Sequence, residues 1–354
     1  MKLSIDDNIK AIPHYPKAMM YGLEEGWVRL SSNENPNPPS PEVCSQIMDG
    51  LFSLNRYPGN EAELRAAIGS LYGRKPEEVL LGNGSNELIE MSLKAMKHRE
   101  RNRVIISDPS FAFYAIASRV YGYEAARVPL VNMKVDLGVI EKYINNQTRV
   151  IFLNNPNNPT GTIFEDGEFK AFLRNLPGDI LVVVDEAYGE FVESKAFPDS
   201  FSYIDDYPVI VLRTFSKAYG LAGLRIGYGI ASEAIISFLE RTRQPFSVNM
   251  IAIIAARAAL KDKKYLKSVL HNNRKGKRFL YTALKALSIP YVLTEANYIL
   301  IKIGPQAETV SKRLFDEKIL VRWMGAYNLG EYIRVSIGTM DENKVFLEAL
   351  KKIL

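Results

Sequence analysis

Leu181-Val182-Val183-Val184-Asp185-Glu186-Ala187-Tyr188 is an apolar run that stops abruptly at charge. A strand with one face in water alternates apolar and polar residues. A run with no polar position is covered on both faces, as in a parallel sheet between layers of helices. The pattern recurs along the chain. Val79-Leu80-Leu81 ends at Gly82-Asn83-Gly84-Ser85, and Val104-Ile105-Ile106 ends at Asp108-Pro109-Ser110-Phe111. Val150-Ile151-Phe152-Leu153 ends at Asn154-Asn155-Pro156-Asn157-Asn158-Pro159-Thr160-Gly161, and Val209-Ile210-Val211-Leu212 at Thr214-Phe215-Ser216-Lys217. Amphipathic helical stretches separate these runs, so the expected class is α/β: a large domain with a mostly parallel sheet between helices. Open sheets of this kind bind ligands beyond the carboxyl ends of their strands. Polar residues at the ends of all these runs therefore predict one composite site.

Outward from this region the pattern changes. An N-terminal arm is expected over residues 1–28, the large domain over 29–246 and a smaller α+β C-terminal domain over 247–354. The last contains an Ala- and Ile-rich helix (Met250 to Leu260), strands at Tyr298–Ile301 and Tyr332–Ile337, and a closing helix in Asp341–Leu354. No internal repeat or low-complexity segment interrupts it.

With 354 residues, 47% hydrophobic and 24% charged, the chain can bury a large core without staples. The lone Cys44 has no partner for a disulfide or a zinc site. It follows Ser40-Pro41, an N-cap and first helical position, and is expected to be a packed helical thiol. His14, His98 and His271 are scattered, which leaves little material for a histidine-centred metal site or a Ser-His-Asp triad; no metal is expected. The N-terminus lacks an apolar signal core and no run reaches membrane-spanning length, so the expected location is the cytoplasm, with no membrane partner. The net charge of +5 is dispersed, with no basic run interleaved with aromatics, so no nucleic-acid partner is expected.

Chemistry is concentrated at the strand ends. Gly82-Asn83-Gly84-Ser85-Asn86-Glu87 opens a helix whose first N–H groups face an anion. Glu87 stands where a dinucleotide fingerprint needs glycine, and no Walker lysine is present, so a single phosphate fits better. Asp185 ends a buried strand and needs a cationic partner; a protonated pyridine nitrogen or a protein arginine would each serve. Lys217 is a Schiff-base nucleophile if its surroundings free the neutral amine. Arg225, among the small residues of Gly220-Leu221-Ala222-Gly223-Leu224-Arg225-Ile226-Gly227, can grip an anion with two donors. Together these residues suit a phosphorylated, charged pyridine aldehyde. The helix N-terminus (Gly84, Ser85, Asn86), Ser216 and Arg225 would take the phosphate, Asp185 the ring nitrogen, Asn158 and Tyr188 the ring oxygen, and Phe111 the ring face, with Thr214 a further cofactor-binding candidate. Lys217, Asp185 and Tyr188 are the candidate catalytic groups.

The ordered set Asn158-Pro159-Thr160-Gly161, Asp185-Glu186-Ala187-Tyr188, Ser216-Lys217 and Gly223-Leu224-Arg225-Ile226-Gly227 resembles the fold-type I aminotransferases that use pyridoxal 5′-phosphate (PLP). Leu30-Ser31-Ser32-Asn33-Glu34-Asn35-Pro36, Arg56-Tyr57-Pro58-Gly59, Gly82–Glu87, Arg213–Ala218 and Tyr332–Thr339 are most similar to the histidinol-phosphate aminotransferases among them. That resemblance implies a homodimer in which Tyr57 reaches the neighbour's cofactor phosphate. It also implies a site where Arg334 binds the substrate α-carboxylate, with Tyr15, Asn297 and Arg322 nearby. The substrates implied are a phosphorylated amine and the 2-oxoglutarate/glutamate pair. Alternation along Tyr332–Ile337 independently turns Arg334 away from the apolar face. Phe111 stands where many relatives have Tyr, and the arm reads His14-Tyr15-Pro16-Lys17 where relatives often carry Tyr, a spacer and Pro-Gly. The alternatives within the fold are a threonine-phosphate decarboxylase and an aromatic amino-acid aminotransferase. A ligand sensor fused to a DNA-binding module is a third, but no segment before Leu30 is long enough to form that module.

Overall fold

The computed structural model describes residues 7–12 and 26–354. Strands β1 (Val28–Arg29), β2 (Val79–Gly82), β3 (Arg103–Asp108), β4 (Glu124–Pro129) and β5 (Thr148–Asn154) are followed by β6 (Leu181–Asp185), β7 (Val209–Thr214) and β8 (Gly227–Ala231). The second part of the chain adds β9 (Tyr291–Val292), β10 (Tyr298–Lys302), β11 (Ile319–Leu320), β12 (Arg322–Trp323) and β13 (Tyr332–Ser336). A seven-stranded sheet has the order β2-β8-β7-β6-β5-β3-β4. Within it β8 pairs antiparallel to both its neighbours, and the other pairings are parallel.

The sheet is covered on both faces, as its continuous apolar runs require. Val182, Val184, Ile151, Leu153, Val209 and Val211 face one core, filled by Leu64, Ile68, Phe169 and Phe172 from helices Glu61–Tyr72 and Asp166–Asn175. The intervening Leu181, Val183, Val150, Phe152, Ile210 and Leu212 face the other core, filled by Leu88, Tyr114 and Ile236 from the helices Gly84–Ala95, Phe113–Val120 and Glu233–Glu240. Each fully buried valine or leucine here contributes about 1.5–3 kcal/mol relative to exposure.

A smaller four-stranded antiparallel sheet, β12-β13-β10-β9, packs with helices Lys263–Ala286, Ala307–Asp316 and Met340–Ile353 around Ile299, Ile301, Ile333, Val335 and Phe346. Its last helix starts at a capping box: Thr339 accepts from Glu342 N (3.2 Å), and Glu342 accepts from Thr339 N (2.7 Å).

Three expectations need correction. The division at 246/247 cuts through a packed unit, because helix Met250–Lys261 places Ala252, Ile253, Ala255 and Ala256 in the large sheet's core. At the other end, β1 pairs with β11 and Leu30 joins the smaller core, so this part of the chain belongs with the C-terminal elements. Cys44 lies in helix Pro41–Gly50 behind its Ser40 cap, but it is exposed; the neighbouring Val43 faces the core instead.

Candidate active site

The carboxyl ends of β2, β3, β5, β6 and β7 converge on one cavity of about 240 Å³, as their polar termini predict. Ser85 and Asn86 enter after β2, Phe111 after β3, and Asn154 and Asn158 from the end of β5. Asp185 and Tyr188 come from β6 and its loop, and Thr214, Ser216 and Lys217 from β7 and its turn. Arg225 closes one end. Arg322 and Arg334, directly paired across β12 and β13, come from the smaller sheet. Tyr57 is elsewhere: it is 78% exposed and stacks on Phe246 with ring centroids 4.5 Å apart. Tyr15 lies outside the described residues.

One end of the cavity is shaped for an anion. Helix Gly84–Ala95 points its first turn inward, and its N-cap Asn83 makes no side-chain bond to that turn. Gly84 has φ +72°, and a Cβ there would stand 2.5 Å from Arg225 Nη2; a Cβ at Gly227 would stand 2.6 Å from Ser85 N. These two glycines let the guanidinium and the helix terminus approach each other. Arg225 donates to Ser216 Oγ (3.3 Å), and Thr214 Oγ1 accepts from Ser216 N (3.1 Å), which fixes the turn.

At the other end, Asp185 is 3% exposed. Tyr114 donates to its Oδ2 (2.7 Å) and Ala187 N to its Oδ1 (3.1 Å). Burial raises its pKa, while these donors and the Lys217 charge oppose the rise. A buried carboxylate at a cavity wall is suited to a cationic ring nitrogen. Burial lowers Lys217 to about 8, and the charges of Arg334 and Arg225 contribute to the drop. A reactive neutral amine is therefore accessible near neutral pH, as carbonyl chemistry requires. The anion cradle, the buried carboxylate and the depressed lysine thus fit the phosphate, ring nitrogen and aldehyde of PLP.

Arg334 is held on three sides. It donates to Asn158 Oδ1 and to Ser31 O (2.7 Å), and its guanidinium lies 5.3 Å from the Tyr298 ring centroid. Lys217 Nζ donates to Ser32 O (2.9 Å). Asn297 is buried and reaches Asn33 O (3.1 Å). The stretch Ser31-Ser32-Asn33 thus supplies carbonyls to three of the expected site residues, a role that no pattern in its own residues signals. Tyr114 is a second unforeseen contributor. In the sequence it is an ordinary helical aromatic; only the fold stacks it on Phe152 (5.0 Å) and turns its hydroxyl to Asp185. Among the described residues no group of His, Cys, Asp and Glu is arranged to hold a metal, and no helix is long and apolar enough to cross a membrane.

Comparison with known proteins agrees with this geometry. The family model for aminotransferase class I and II matches residues 25–350. A histidinol-phosphate aminotransferase of Moorella thermoacetica is 39% identical over 330 residues, covering 92% of this chain and 85% of its own length. One from Desulfotalea psychrophila is 38% identical, covering 100% of this chain and 96% of its own. The crystal structure of histidinol-phosphate aminotransferase from Sinorhizobium meliloti in complex with pyridoxal-5′-phosphate superposes with a TM-score of 0.86 at 27% identity, over 92% of this chain and 90% of that one.

Proposed function

The chain belongs to the class I and II aminotransferases, and from that premise we propose that it is a PLP-dependent histidinol-phosphate:2-oxoglutarate aminotransferase acting as a cytoplasmic homodimer. The observation that carries the reading is a single cavity joining Lys217, Asp185 and the Gly84–Ala95 helix terminus to the paired Arg322 and Arg334. The first group suits the cofactor and the second an anionic substrate.

Bound PLP supplies an electron sink that makes a C–H bond beside an amino group acidic. Helix residues Gly84, Ser85 and Asn86, with Thr214, Ser216 and Arg225, would hold its phosphate, and Phe111 would stack on its ring. Asp185 keeps the ring nitrogen protonated, and Tyr114 keeps Asp185 in place. Asn158 and Tyr188 orient toward the ring oxygen. Lys217 Nζ would anchor the aldehyde, and its neutral amine would hold and move the proton at the substrate carbon that carries the amino group. Arg334 would take the α-carboxylate of glutamate and Arg322 the distal phosphate of histidinol phosphate; their shared place on the cavity wall supports this reading. Tyr57 reaches the neighbouring subunit's cofactor phosphate. Its exposed ring, with Met48, Leu51, Phe52 and Leu54 also exposed nearby in sequence, supports a covering second copy.

The test is to incubate the purified protein with PLP, histidinol phosphate and 2-oxoglutarate. Stoichiometric glutamate is expected. Carbon dioxide from threonine phosphate with no glutamate from histidinol phosphate would replace this reading with the decarboxylase.

A further inference from the structure

Asn33 is 1% exposed and sits with φ +55°, a left-handed conformation that asparagine tolerates better than most side chains. Its hydrogen bonds fix which way its amide points. Asn33 N donates to Ser336 Oγ (2.8 Å), so the single Ser336 proton is left to donate to Asn33 Oδ1 (3.2 Å). With the carbonyl side committed to Ser336, the Nδ2 side donates to Tyr188 Oη (3.0 Å). Asn297 holds the same residue by its backbone carbonyl (3.1 Å). A tyrosine oxygen that accepts from Asn33 must direct its own proton away from Asn33.

We propose that Asn33 and Ser336 are positioning residues that set the polarity of the Tyr188 hydroxyl, turning its proton into the cavity so that it donates to the ring oxygen of the cofactor. The inference rests on the reading of the site as a PLP site and goes beyond it, because neither residue touches the cofactor. It also links the strand that carries Arg334 to the cofactor's electronics, since Ser336 lies on the same face of β13, two residues on.

The isosteric variant Asn33→Asp tests this directly. The introduced carboxylate retains an acceptor for Ser336, but it presents a second acceptor where Tyr188 met a donor, so the tyrosine proton turns toward residue 33. The readout is the pH midpoint of the visible absorption of the holoenzyme, which reports the proton shared by the ring oxygen and the anchored nitrogen. A donor on the ring oxygen favours loss of that proton, so removing the donor raises the midpoint. Tyr188→Phe is expected to raise it by about one to two pH units, the equivalent of one hydrogen bond to a charged oxygen. Asn33→Asp is expected to raise it similarly, and the double variant to rise no further than Tyr188→Phe alone. Asp185, Lys217, Arg225, Arg322 and Arg334 line the same cavity and are common to all four proteins. An unmoved midpoint in Asn33→Asp overturns the proposal. So does full additivity in the double variant, which would mean that the new charge acts through space. If Asn33→Asp does not fold, Ser336→Ala replaces it: the unanchored amide should raise the midpoint by less, Ser336→Thr should restore it, and no change in Ser336→Ala overturns the proposal. A wild-type protein with no visible band after PLP addition removes the underlying reading, and this inference with it.

Discussion

Lys217 shows how one buried side chain couples chemistry to stability. Its pKa is depressed to about 8 from the ordinary 10.5. Below pH 8 it is protonated in both folded and unfolded chains, and the folded state bears the full penalty. As pH rises from 8 to 10.5 the folded state gives up the proton first, so that penalty is relieved. In cofactor-free protein, Lys217→Met should therefore remove a stability gain of no more than about 3 kcal/mol across that window. Urea titrations of both proteins at pH 7.5 and 10.5 would check this; parallel curves would show that the amine is solvated. The two arginines should divide the substrates. Arg334→Ala should slow the glutamate half-reaction most and Arg322→Ala the histidinol-phosphate half-reaction most. Each selective loss should be about ten- to a hundredfold, the worth of a charge-assisted hydrogen bond, as measured in single turnovers. Equal losses in both half-reactions would remove the division. That Lys217, Asp185 and Arg334 would meet in one cavity was legible in the sequence, because charge at the end of an apolar run, or alternating with one, leaves few interpretations. Asn33 and Tyr114 were not, because their roles depend on partners 303 and 71 residues away.

Strands β6 and β7 are tied together below the cavity by a buried ionic cluster. Arg213 Nε and Nη2 donate to Glu186 Oε2 (2.9 and 2.6 Å), and Nη1 donates to Glu190 Oε1 (3.1 Å). A side chain at Gly189 would collide with the guanidinium, so the turn after Asp185 is shaped around it. Burial raises both glutamates above 4.5, and the arginine charge opposes the rise. Raised carboxylates contribute stability that is full below the unfolded value and is lost as pH climbs through the folded one. Arg213→Met leaves both glutamates unpaired and should cost about 3–5 kcal/mol near neutral pH. The loss should shrink toward pH 4, as the glutamates take up protons. A loss independent of pH would assign the effect to packing alone. Among elements, the buried parallel strands were readable because two covered faces demand unbroken apolar runs. β4 and β8 were not. β4 is an edge strand with mixed burial, Glu124–Pro129, and offers only a short alternation. β8 is Gly-Tyr-Gly-Ile-Ala, whose glycines read as a turn. A Cβ at Gly229 would stand 2.9 Å from Ile210 Cδ1, so packing, not strand propensity, selects glycine there.

The exposed Tyr57–Phe246 stack and the 91% exposed Phe52 belong to a surface that a second copy is expected to cover. Light scattering at assay concentration should give twice the 39.9 kDa chain mass. Mixing Tyr57→Phe with Lys217→Ala protomers should restore wild-type rate at half the sites of each heterodimer, because the intact lysine then receives its tyrosine from the other chain. Activity no higher than diluted Tyr57→Phe protein would rule out shared sites. Domain limits were harder to read than strands, since pairing between residues 28–29 and 319–320 leaves no local signature. That pairing has a consequence for how the chain is made. It closes a loop of about 290 residues, so the smaller unit is split and the larger one is inserted within it. During synthesis, β2 to β8 and helix Met250–Lys261 leave the ribosome before β12 and β13 exist. The growing polypeptide thus brings out Lys217, Asp185 and the Gly84–Ala95 helix terminus while Arg322, Arg334 and Ser336 are still untranslated, and the cavity gains its arginine wall only when β12 and β13 follow.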